Sequence, residues 1–338
     1  MSAVPLSILD RANTRLVDGR PVDASVILQE VTTRAQAAET LGYQRFWVAE
    51  HHAVPGIVGS TPTLFLAHLA SATSTIRLGT GGIMVPSHQP LVIAEQIGTL
   101  QALYGTRIDA GLGASVGFTK PVREALRHNT NAKEHFFDDV DEVLDYLDGT
   151  AAITAYPQDE SRTELHVLTS GGSTEFAATR GMGLVLGGPS VTRGLTSPGE
   201  RSPVAAQYRE QFVAATSRNQ RPHVIASVNV ATADSTSAAQ QLVLSEAWAL
   251  TQSRTTGVFG PLEDPATIDL SALSAQQQRR LDRALESTIY GTPDEVMEQL
   301  EAVVAYTQAD EIMVTGNIWD PAAQLTSDQL LIEAWLAR

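Results

Sequence analysis

The sequence predicts an α/β fold: a single (β/α)8 TIM barrel with insertions at its C-terminal face. Three observations lead there. Short apolar runs alternate with longer amphipathic segments along the whole chain. Eight such strand–helix pairs suit a closed barrel better than an open doubly wound sheet. No strand runs into the GxGxxG turn of a dinucleotide fold. The 338 residues also match one barrel of ~250 residues plus insertions.

The elements follow in order. Residues 4–9 are the first strand. Residues 24–41 place Ile27, Val31, Ala35 and Ala38 at helical spacing, and Gly42 stops the helix. RFWVAE at 45–50 is the second strand, and 61–73 a helix with Pro62 in its first turn. The third strand lies within 76–85. A helix at 89–104 ends at Gly105, and RIDAGLG at 107–113 is the fourth strand. The second half repeats the rhythm: an acidic helix at 133–147, strand 165–169, helix 173–180, strand 184–186, helix 200–217, strand 223–231 and helix 235–250. A helix at 293–306, a strand at 311–315 and a helix at 321–336 close the chain. Residues 187–203, rich in Gly, Pro, Ser and Thr, break the pattern. So do residues 251–273, an insertion expected to be a mobile lid with few packed contacts. No composition shift marks a second domain, so residues 1–338 read as one barrel domain.

Composition narrows function. With 43% hydrophobic and 18% charged residues, a sizeable core can be buried. The net charge of -15 argues against nucleic acid or anionic membrane as a partner. The absence of cysteine excludes disulfide scaffolds, thiolate metal sites and thiol nucleophiles. No apolar run reaches the ~20 residues of a membrane span. The N-terminus has no basic region of a signal peptide, so the expected compartment is the cytoplasm.

In a barrel, chemistry sits where strands end. After the second strand come Glu50, His51 and His52. Two histidines there are a candidate base and hydrogen-bonding pair, or they satisfy local backbone groups. Metal ligation is disfavoured, because adjacent strand residues point to opposite faces and neither His68 nor His88 stands at ligand spacing. Gly79-Thr80-Gly81-Gly82 follows the third strand, as a turn or as backbone that a flat ligand can approach closely. Thr169-Ser170-Gly171-Gly172-Ser173 opens a helix and is either an anion site or a plain serine cap. Asn317 and Trp319, past the eighth strand, face a pocket or close the barrel.

Taken together, LGYQRFWVAEHH (41–52), IRLGTGGIMVPSHQPLVIAEQ (76–96), LYGTRIDAGLG (103–113), the glycine-rich turn at 170–173, YGTPDEVMEQL (290–300) and DEIMVTG (310–316) resemble the bacterial luciferase-like flavin-dependent monooxygenase family, in register along the chain. The resemblance implies reduced FMN from a separate flavin reductase, and dioxygen that oxidises a small, largely apolar organic substrate. A homodimer is expected. By the same resemblance His51 is the catalytic histidine, with His52 beside it. Gly81-Gly82 is a cis peptide against the flavin ring, and Ser170, Gly172 and Ser173 bind its phosphate. One departure stands out. Where relatives carry an arginine after the fourth strand, this chain has Ala114, leaving Lys120 or Arg123 as substitutes. A deazaflavin-dependent oxidoreductase and a flavin-binding protein without turnover are the alternatives.

Overall fold

The computed structural model describes residues 4–127, 134–160, 162–169, 172–197, 199–214, 218–271 and 273–338. Its eight barrel strands are β1 (Leu6–Asp10), β2 (Arg45–Val48), β3 (Arg77–Met84), β4 (Ile108–Gly113), β5 (Glu164–Thr169), β6 (Gly183–Leu186), β7 (Val224–Thr232) and β8 (Glu311–Thr315). Each pairs in parallel with the next. β8 returns to β1 through Leu6↔Ile312 and Ile8↔Val314, so the sheet is closed. The main surrounding helices are α1 (Ala24–Leu41), α2 (Pro62–Ala72), α3 (Pro90–Tyr104), α4 (Lys120–Ala125), α5 (Phe136–Asp148), α6 (Thr174–Thr179), α7 (Pro189–Thr192), α8 (Pro203–Gln211), α9 (Thr236–Thr256), α10 (Ala275–Glu286), α11 (Pro293–Thr307) and α12 (Pro321–Leu336). None of the described helices is long and apolar enough to cross a membrane.

Alternation along the strands fills the barrel in layers. At the N-terminal end the layer is charged. Arg45 donates to Asp109 (2.7 Å) and to Glu311 (3.0 Å), while Arg77 and Ser7 donate to the same two carboxylates. Burial alone would raise the Asp109 carboxyl, but Arg45 and Arg77 hold it down, to about 2. Above it Trp47, Val185, Ile225 and Met313, with Leu9 and Leu168, form an apolar plug. The middle of the barrel is therefore packed.

One reading of the sequence is corrected. The expected insertion at 251–273 begins as helix, since α9 continues to Thr256, with Thr251 buried. The remainder is fastened rather than loose. Leu16 N–H donates to the Leu262 carbonyl (2.8 Å), Leu262 N–H to Thr14 (2.9 Å), and Gly56 N–H to Phe259 (3.0 Å). Ile268 and Leu273 pack against Leu244, Ala247 and Leu281. Weak periodicity signals the lack of a regular face, not the lack of burial. Residues 275–286, given no element in the sequence reading, form α10 from the polar run AQQQRR. Its signal was the capping box, in which Ser274 and Gln277 each accept the other's backbone N–H.

Candidate active site

The end of β2 sends neighbouring side chains in opposite directions. Glu50 is buried, and its Oε2 accepts the Met84 N–H (2.7 Å) at the end of β3. Burial would raise this carboxyl, but hydrogen bonds from His88 and Met84 bring it below the usual range. An ionised carboxylate can only accept, so the Nε2 atoms of His52 (2.6 Å) and His88 (2.8 Å) both donate to its Oε1. These three donor groups lie within 4.8 Å of one another, close enough to share a metal ion. Their 2.6 and 2.8 Å separations are nonetheless those of hydrogen bonds, shorter than the ~3.3 Å between two ligands of one tetrahedral ion. The cluster ties the ends of β2 and β3 together. His88, 38 residues from Glu50, was not legible as its partner.

His51 points the other way. Its backbone N–H donates to Gly59 (2.9 Å), and its ring stacks on Phe118 with centroids 5.9 Å apart and planes at 13°. Its Nδ1 is buried without a partner. Burial first, and then the charge of Arg11, lower the imidazole to about 4. This lies well below the ordinary histidine value near neutral pH. Arg11 itself, just past β1, pairs with Glu246 of α9, whose Oε2 also accepts the Asn317 N–H (2.8 Å).

Across from His51 lies the glycine segment of β3. The Gly81–Gly82 peptide is cis, and the β3–β4 register shifts there. Thr80 brackets the irregularity: its hydroxyl donates to the Gly111 carbonyl (3.0 Å) and accepts the Gly111 N–H (3.1 Å). A Cβ on Gly82 would lie 2.8 Å from the Gly111 carbonyl oxygen, so backbone and not side chain forms this wall. A cavity of about 260 Å³ results, lined by His51, His52, Gly81, Gly82, Ala114 and Phe118, with Leu168 from β5. Larger clefts of about 450 and 670 Å³ lie between α1 and α2 and at the N-terminal face. Neither reaches His51 or the glycine pair, and the larger lies away from the C-terminal strand ends where barrel chemistry belongs.

Of the expected phosphate contacts, Ser170 lies outside the described residues. Gly172 and Ser173 sit between β5 and α6. Ser173 N–H donates to Thr169 Oγ1 (3.2 Å), and its own hydroxyl makes no cap bond to the helix. Neither residue lines the 260 Å³ cavity, which reaches β5 through Leu168 among the described residues. Arg123 is occupied, donating to the Gly117 carbonyl (3.1 Å), and Lys120 pairs with Glu124 on the surface.

A closed parallel barrel with a neutral histidine and a glycine wall at its strand ends has the frame of a barrel enzyme. Residues 14–311 match the model of the luciferase-like monooxygenases, and the chain belongs to that family. It is 33% identical over 303 residues to a luciferase-like monooxygenase of Escherichia coli (strain K12), covering 88% of each chain. The crystal structure of apo-MsnO8 superposes with a TM-score of 0.83 at 28% identity, covering 99% of this chain and 98% of that one. The fold is also shared with an oxygenating constituent of 3,6-diketocamphane monooxygenase from Pseudomonas putida, solved with FMN. That match has a TM-score of 0.71 at 18% identity, covering 99% and 98% of the two chains. An F420-dependent secondary alcohol dehydrogenase shares it too, with a TM-score of 0.66 at 12% identity and coverage of 98% and 99%.

Proposed function

We propose that this chain is an FMN-dependent monooxygenase that takes reduced FMN from a separate flavin reductase and oxidises a small, largely apolar organic substrate. The observation that carries the proposal is the cavity between His51 and Gly81–Gly82. Its backbone wall lets a flat ring approach without side-chain interference, and the buried, unpartnered His51 Nδ1 is a hydrogen-bonding atom awaiting a ligand. These residues fit a flavin ring. Reduced flavin, when bound, supplies the two electrons that let dioxygen deliver one oxygen atom to the substrate and the other to water.

The chain's own residues do the rest. His51, neutral at physiological pH, accepts a proton or a hydrogen bond at Nδ1. His52 holds Glu50, and Glu50 holds the β3 backbone beside the glycine pair. Phe118, itself largely exposed, and Leu168 give the cavity apolar walls. Gly172 and Ser173 remain the proposed phosphate contacts. A homodimer is part of the same proposal, and Leu64 of α2 and Leu103 of α3, 72% and 63% exposed, are apolar surface available to it.

The test supplies either FMN with a flavin reductase or reduced F420 to the protein, together with aldehydes, ketones and thioethers. Oxygen uptake and 18O in the product are followed. Labelled product with the FMN system alone supports the reading. Turnover with reduced F420 alone, without oxygen uptake, replaces it with a deazaflavin oxidoreductase.

A further inference from the structure

A second cavity, of about 290 Å³, lies between the N-terminal ends of α1 and α12, beside the barrel mouth. It shares no lining residue with the His51 cavity. Ile27, Val31, Leu262, Ile318 and Trp319 give it apolar walls. Its charged groups are matched. Arg34 pairs with Asp10 (2.8 Å) and Asp328 (2.7 Å), and Arg15 with Glu30 (2.6 Å). Gln324 is occupied as well, accepting the Ile318 N–H (2.8 Å) and donating to Asp328 (3.1 Å).

What remains is carboxamide. Asn13 is 8% exposed, and both its Oδ1 and its Nδ2 are buried without a partner. Oδ1 of Asn317, on the same cavity, is also without one. Buried polar atoms left unpaired are unfavourable and uncommon. Asn13 and Asn317 both line this one largely apolar space, near the lower end of the ~300–1,000 Å³ typical of ligand pockets.

We propose that this cavity binds a small neutral molecule with an amide edge, an N–H beside a C=O, and an apolar body. The carboxamide of Asn13 meets such an edge with two hydrogen bonds, its Nδ2–H giving to the carbonyl and its Oδ1 accepting the N–H, in the way Asn reads a base edge. Asn317 Oδ1 accepts a further donor on the ligand. Trp319 and Leu262 cover the body. Neutrality follows from the matched charges of the walls, which leave none for an ion.

The probes are 2-quinolone, which carries the amide edge, and N-methyl-2-quinolone, which lacks the N–H. Each is titrated calorimetrically into the full chain. Wild-type protein is expected to bind 2-quinolone at least tenfold more tightly than its N-methyl analogue. Asn13→Leu should abolish that preference, and Asn317→Ala should weaken 2-quinolone binding several-fold. His51→Ala, at the other cavity, should change neither. If Asn13→Leu does not fold, the wild-type preference and Asn317→Ala decide. Equal affinity for the two probes, no measurable binding, or loss of binding with His51→Ala alone overturns the proposal.

Discussion

Burial and the neighbouring Arg11 charge bring the His51 imidazole to about 4, so it stays uncharged between pH 5 and 8. Turnover that depends on neutral His51 is expected to be level across that range, with an acidic limb near 4 in the pH profile of kcat/KM. Arg11→Gln removes the largest lowering charge, so the limb should move to higher pH. A limb that stays put would separate Arg11 from His51. His51→Ala should cut turnover by ~10²–10⁴-fold without changing the melting curve. Wild-type turnover in that variant would take His51 out of the reaction. At this scale the sequence was half legible. His51, Gly81 and Gly82 stand in contiguous strand-end motifs and were found there. Arg11 and Glu246 are 235 residues apart and make chemical sense only once α9 meets the loop after β1.

Most barrel strands and helices were readable, because each buries a regular face that shows as periodicity. The strap after α9 was not, because its order comes from backbone hydrogen bonds to the loops after β1 and β2, which no side-chain pattern encodes. Its weak point is a glycine crossing. A Cβ on Gly56 would lie 2.1 Å from the Gly260 carbonyl oxygen, which is backbone and cannot swing aside. Gly56→Ala is therefore expected to cost about 1–3 kcal/mol, as overpacking does. It should also open residues 257–262 to limited proteolysis. Urea melts and cleavage mapping check both. An unchanged midpoint and an intact strap would mean that the crossing relaxes freely.

The whole molecule joins an acidic surface to a barrel interior that holds its histidines neutral. Burial is the first cause lowering His51, His166 and His223. As pH falls through ~6.5, the ordinary histidine value, the unfolded chain takes up these protons before the folded one does. Stability is thus complete above that pH and is lost as pH drops toward about 4, the His51 value. Asp109, held at about 2 by Arg45 and Arg77 despite its burial, and Glu39, held at about 2 by the backbone N–H groups of Thr75, Ile76 and Ser74, add a second loss below ~4. Urea midpoints at pH 8, 6.5, 5 and 4 should be level between the first two and then fall; midpoints that rise on acidification contradict this. One measurement bears most directly on the flavin reading: anaerobic calorimetric titration of reduced FMN into wild-type, Gly82→Val and Leu336→Ser protein. Gly82→Val forces the wall formed with Gly111 to shift, whereas Leu336 is exposed at the end of α12. Saturable binding by wild type and Leu336→Ser, with at least tenfold loss in Gly82→Val, is the expected result. No binding of reduced FMN, or Gly82→Val binding as tightly as wild type, would contradict a flavin in this cavity.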